Sequence, residues 1–188
     1  MGKARVAVWL MVLLIVSLAG CESCRTEDPG ELPPRLVEGN RAPYSLYLPG
    51  AWRLEPAGSI NPDADMAAHF EDRLFLLVIP QALPSFPRPD VHQLKREAVG
   101  VLEQAVDDLR VERQGALELD GVSGLSVFAL GSLGEQEVRY VTAYVVHEDH
   151  GYQIIGFSDA QHQDELLAGV DSILSTWRFG APAAEVVP

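Results

Sequence analysis

Few side chains in this sequence could do chemistry, and spacing decides what each could do. His147-Glu148-Asp149-His150 sets two imidazoles three residues apart with carboxylates between them. Zinc asks for three or four convergent ligands; a tight turn would splay these four, so the segment reads as a solvated turn. His69, His92 and His162 share no spacing with it. Gly121-Val122-Ser123-Gly124 misses the Gly-x-Ser-x-Gly elbow of a serine hydrolase and sits among hairpin signals. Asp107-Asp108 and Asp164-Glu165 fall on predicted helix surfaces, without the burial that makes a general acid. No glycine-rich phosphate loop and no Asp-x-Asp-x-Asp-Gly calcium loop occurs. The two cysteines form Cys21-Glu22-Ser23-Cys24, and a redox C-x-x-C needs a helix N-terminus in a thioredoxin-like unit. These residues predict no catalytic site, no metal site and no cofactor.

Cys21 has a different reading. It closes Leu18-Ala19-Gly20-Cys21, behind Lys3, Arg5 and the unbroken apolar run from Val6 to Val16. A cationic start, an apolar middle and small residues before a cut are the layout of a cleavable export signal. The apolar stretch ends at Gly20, short of the roughly 20 apolar residues that a permanent span needs. The four residues resemble a bacterial lipoprotein signal. That resemblance implies removal of residues 1–20 and a diacylglyceryl thioether, with palmitate-type chains, on Cys21. Each buried methylene contributes about 0.8 kcal/mol, so two or three chains anchor a protein where one binds only marginally. The implied location is the extracytoplasmic side of the cell envelope. Glu22, in place of an inner-membrane aspartate signal, leans toward the outer membrane. With its sulfur held in that thioether, Cys21 leaves Cys24 without a partner in the motif.

Two of the 14 basic residues, and none of the 27 acids, precede Cys21, so the remainder carries a formal charge near −15. That excludes nucleic acid and anionic lipid surfaces as natural partners. Residues 21–41 mix charge with Pro29, Pro33, Pro34, Gly30 and Gly39, without apolar periodicity, and read as a flexible tether. The globular part, residues 42–180, holds no cysteine and depends on packing. Residues 181–188 read as a frayed tail.

Within that part, Tyr44–Leu48 reads as a strand ended by Pro49-Gly50, and Trp52 as a plug at one end of the core. Met66–Phe70 and Leu74–Ile79 predict a hairpin; the second run is apolar on both faces and predicts a central strand, ended by Pro80. Pro80–Pro89 predicts a rigid connecting loop. Asp90 is placed to cap a helix running to Leu109, with Val91, Leu94, Ala98, Val101, Leu102, Ala105 and Leu109 on one stripe. Gly100 in that helix suggests close packing on a sheet. Four strands follow: Val111–Leu119, Gly124–Leu130 after an Asp120-Gly121 turn, Glu137–His147 after Gly131–Gly134, and Tyr152–Phe157. Ser158 and Gln161 match a capping box for a helix to about Ser175, burying Leu166, Leu167, Val170, Ile173 and Leu174. The predicted class is α+β: an antiparallel sheet of six to seven strands flanked by helices, an α/β/α sandwich.

Tyr44-Ser45-Leu46-Tyr47-Leu48-Pro49-Gly50-Ala51-Trp52, the amphipathic mid-chain helix, and Tyr152–Ser158 followed by a helix ending Ile173–Phe179 carry a second resemblance. The pattern over residues 42–180 is similar to the PsbP-like superfamily. The resemblance implies an antiparallel sheet with helices on both faces and members that mostly bind other proteins. Its motifs are packing signatures, and no site residue carries over.

The strand through Val138, Tyr140, Thr142, Tyr144 and Val146 leaves two readings open. The first is ordinary sheet packing, with both faces buried. The second is a binding face lined by Tyr140, Thr142 and Tyr144, since tyrosine buries its ring while its hydroxyl stays wet. Taken together, the sequence predicts a membrane-anchored, non-catalytic protein-binding or scaffolding module with a protein partner. A small-ligand or metal carrier is the alternative, and an envelope-acting hydrolase stands behind that.

Overall fold

The computed structural model describes residues 32–56 and 58–180; Cys21, Cys24 and the tail from 181 lie outside them. Strands β1 (Arg35–Glu38), β2 (Tyr44–Leu48), β3 (Arg53–Leu54), β4 (Met66–Phe70) and β5 (Leu74–Ala82) lead to helix α1 (Val91–Ala105). Then come β6 (Asp107–Leu119), β7 (Val122–Leu133), β8 (Gln136–His147), β9 (His150–Asp159), helix α2 (Gln163–Leu174) and β10 (Arg178–Phe179). One sheet has seven strands in the order β3-β4-β5-β9-β8-β7-β6; a smaller one has the order β1-β2-β10. Every pairing is antiparallel. No helix among the described residues is long and apolar enough to cross a membrane.

The large sheet is the middle layer. Residues alternate across its faces, so β5 sends Leu74, Leu76 and Val78 toward α2 and Leu77 and Ile79 toward α1. On the α2 side these meet Leu166, Val170 and Ile173 of the helix and Tyr44, Leu46 and Leu48 of the small sheet. Gly156 in β9 lets α2 settle close, because a Cβ there would lie 2.5 Å from Val170 Cγ2. Trp177 is fully buried and stacks on Tyr44 with centroids 4.7 Å apart; Tyr152 meets both rings edge-on. Trp52 is buried in the same core, as its position after Pro49-Gly50 predicts.

Several sequence expectations are corrected. Part of the stretch read as tether is sheet: Arg35–Glu38 pairs with Ser45–Leu48. Pro80 does not end its strand, which runs to Ala82 and pairs Pro80 with Tyr152. The ladder to β4 stops at Met66–Val78, so Pro80 has no neighbour on that side to miss its N–H. Helix α1 is capped by the Asp90 side chain, which accepts from Gln93 N at 2.8 Å, but it ends at Ala105. Leu109 keeps the helical spacing because it packs from β6 into the same cluster as Leu102 and Ala105. Asp107 and Asp108 thus open a strand, and Asp108 takes a positive φ of 52°. Gly100 is open, with nothing within 4 Å of a Cβ built on it. Gly131 lies in β7, not in a turn, where a Cβ would meet Val106 Cγ1 at 2.2 Å. The cap before α2 is Asp159, which accepts from Gln161 N and His162 N, while Ser158 Oγ donates to Asp159 O. Leu167 is only partly buried.

Candidate functional site

β8 carries Tyr140, Thr142 and Tyr144 into the interior beneath α1, at 7%, 2% and 1% exposure. Tyr140 packs with Leu77, Ile155 and Ala129, and Tyr144 with Leu94 and Val127. Burial pushes both phenols up to about 12. These side chains match sheet packing, the first of the two readings, and line none of the three principal clefts. Cys21 lies outside the described residues.

The paired histidines sit at the β8–β9 turn, where His147 and His150 are register partners. His147 stacks on Phe179 at 4.3 Å and His150 lies 6.1 Å from Tyr152. Among the described residues, no group of three or more His, Cys, Asp or Glu is placed to hold a metal. Ser123 is an exposed residue of the β6–β7 hairpin. Asp164 and Glu165 occupy the first turn of α2.

Two polar clusters were not anticipated. His69 Nε2 lies 3.0 Å from Glu55 Oε1 and Nδ1 lies 2.9 Å from Asp72 Oδ1. Ser59 Oγ donates to Glu55 Oε2 at 3.5 Å on the outer side of the cluster. The cluster ties β3 and the β4–β5 turn to β4. The i,i+3 spacing of His69 and Asp72 was visible in the sequence; Glu55 arrives only through the pairing of Arg53 with His69. The second cluster centres on Asp65, 7% exposed, which accepts from Asn40 N at 3.0 Å and Arg41 N at 3.1 Å. It fixes the β1–β2 loop. The Tyr44 hydroxyl is buried beside it, and burial, then the charge of Asp65, raises its pKa.

What remains open is surface. Clefts of about 470 and 450 Å³ flank the β1–β2 loop, one beside Leu36, Leu54 and Asp65, the other beside Arg41, Tyr44 and His150. A third, about 360 Å³, lies between α1 and β6, lined by Lys95, Arg96, Val99, Gly100, Val111 and Val127. Val111 in its wall is half exposed. Along that cleft β6 forms the outer edge of the large sheet. This geometry suits non-covalent contact with another surface.

No family model and no curated protein matches the chain. Solved structures do. The chain is similar to cyanobacterial PsbP (CyanoP) from Synechocystis sp. PCC 6803, with a TM-score of 0.62 and 14% identity, over 84% of this chain and 97% of that one. It is similar to LpqN, involved in cell envelope biogenesis of Mycobacterium tuberculosis, with a TM-score of 0.61 and 15% identity, over 78% and 90%. It is also similar to the Ran-binding protein Mog1p of Saccharomyces cerevisiae, with a TM-score of 0.52 and 11% identity, over 80% and 97%. At these identities the likeness is one of fold: like these structures, the chain forms an antiparallel sheet with helices on both faces.

Proposed function

We propose that this protein is an envelope lipoprotein whose PsbP-like domain is a non-catalytic protein-binding module, held at the membrane by acyl chains on Cys21. The observation that carries the anchor is Leu18-Ala19-Gly20-Cys21 behind the apolar run Val6–Val16. Support for the module comes from the fold, shared with a Ran-binding protein and with a protein of envelope biogenesis. Further support is the open α1–β6 side, which offers contact surface and no converged reactive groups among the described residues. The lean toward the outer membrane rests on Glu22 alone. Mass spectrometry of the native protein tests the anchor: the expected N-terminus is an acylated Cys21. Cys21→Ser is expected to abolish lipid labelling and release the protein from membranes. A variant that still fractionates with membranes overturns the anchor.

A further inference from the structure

Four strands end the two sheets. β3 and β10 have two residues each and β1 has four, whereas β6 has thirteen. A long free edge presents unpaired N–H and C=O groups to any strand that approaches. The first half of β6 is blunted by register shifts at Asp107/Arg110 and Val111/Arg113 and by the charges of Arg110, Glu112 and Arg113. From Arg113 to Leu119 the ladder is regular, without proline, and Glu118 is the one charge past Arg113.

The direction of each backbone group follows from the hairpin. Asp120 and Gly121, with φ of 48° and 78°, form a two-residue turn between the partners Leu119 and Val122. Such a turn makes its flanking pair the hydrogen-bonded one, and the pattern then alternates along the ladder. Leu119, Leu117 and Gly115 therefore face β7; in agreement, Gly115 O accepts from Ser126 Oγ at 3.5 Å. Gln114, Ala116 and Glu118 turn their N–H and C=O outward.

We propose that this edge pairs antiparallel with the same edge of a second copy, about a two-fold axis at Ala116. Around that axis Gln114 lies opposite the partner's Glu118, an amide against a carboxylate. Lys95 Nζ already donates to Gln114 Oε1 at 3.0 Å, so its ammonium stands beside the incoming carboxylate. Symmetry makes this charge match twice. On the other face Leu117 lies opposite the partner's Gly115. The space beside Gly115 is open, since a Cβ there would meet only Ser126 Oγ, at 3.5 Å. Ala116 is short enough to face itself. Moving the axis by one residue loses these matches: at Gly115 it sets Glu118 against Glu112, and at Leu117 it sets Leu117 against itself in place of Gly115.

The contact is small beside the roughly 800 Å² per partner of a standard interface, and the acidic net charge opposes it. Pairing therefore needs concentrated copies; in the cell a shared membrane supplies them, and in this respect it rests on the lipoprotein reading.

The test uses the full chain with Cys24→Ser, oxidised in native membranes, with and without Ala116→Cys. Cα atoms of such a pair lie about 5.5 Å apart, within the range a disulfide spans. The expected result is a reducible dimer of two identical chains for Ala116→Cys, and none for Glu135→Cys on the exposed β7–β8 turn or for the parent. Ala116→Pro removes an outward N–H and leaves the β7 ladder intact. It is expected to keep the circular dichroism and melting of the parent while abolishing the dimer that the parent forms at high concentration in sedimentation. The pairing is overturned by a membrane-bound Ala116→Cys chain that stays single. It is equally overturned by cross-linking to a polypeptide of different mass, by equal cross-linking at Glu135, or by an Ala116→Pro chain that still dimerises. Failure of the anchor looks different: the chain leaves the membrane, yet concentrated protein still sediments as the dimer.

Discussion

The middle of the large sheet and its β6 edge are built to different standards. At β5, β9 and β8 both faces are covered: Val78, Val145, Tyr152 and Ile154 are fully buried, and Trp177 and Tyr44 close the layer beneath. At β6 all but three of thirteen residues are exposed, and a cleft opens between the strand and α1. The first region holds the fold together. The second contributes little burial and keeps backbone groups available. Burial is thus concentrated in the middle of the sheet and open backbone at one edge, and perturbations should respect that division.

The largest expected effect is alkaline. Tyr140, Tyr144 and Tyr152 are pushed up to about 12, by burial first, and Tyr44 is raised further. In the unfolded chain these phenols ionise near pH 10. Between pH 10 and about 12 the folded state therefore holds protons that the unfolded chain has released. Their contribution is intact below pH 10 and falls by about 1.4 kcal/mol per pH unit per tyrosine above it. Phenolate absorbance should rise together with loss of circular dichroism; smooth ionisation of a chain that stays folded would break the comparison. Next is Trp177→Ala, expected to cost about 3–5 kcal/mol in denaturant unfolding. Asp65→Ala leaves two loop N–H groups without their acceptor and should cost about 1–3 kcal/mol. The smallest effect has the opposite sign. Gly100→Ala, in α1 beside the open cleft, meets nothing and should stabilise by up to about 1 kcal/mol, seen as a higher melting temperature. A loss there would show the cleft to be tighter than described.

The same division governs what the sequence discloses. The hairpin at Asp120-Gly121, the Asp90 cap and the central strand β5 are legible because local chemistry sets them: turn residues, a capping oxygen, a run apolar on both faces. The small sheet is not, because β10 finds β2 across most of the chain, joining Arg178 to Ser45. Pro80 and Leu109 mislead for related reasons. A proline is tolerated wherever a neighbouring strand has already stopped, and a strand residue can share a helix's spacing when both feed one cluster. The tyrosines of β8 could not be placed inside or outside until α1 was laid over them. The Asp65 hub joins a loop and a strand entry more than twenty residues apart, and no local pattern announces it. The open edge at β6 is legible only by elimination, once the other long strands have their partners.

Hydrogen exchange, read amide by amide on the full chain, tests the division most directly. The expected result in dilute solution is slow exchange through β5, β8, β9 and α2, with rapid exchange at Gln114, Ala116 and Glu118 between slower neighbours at Gly115 and Leu117. Uniform protection along β6 in the dilute chain, or rapid exchange in β8 and β9, would contradict it.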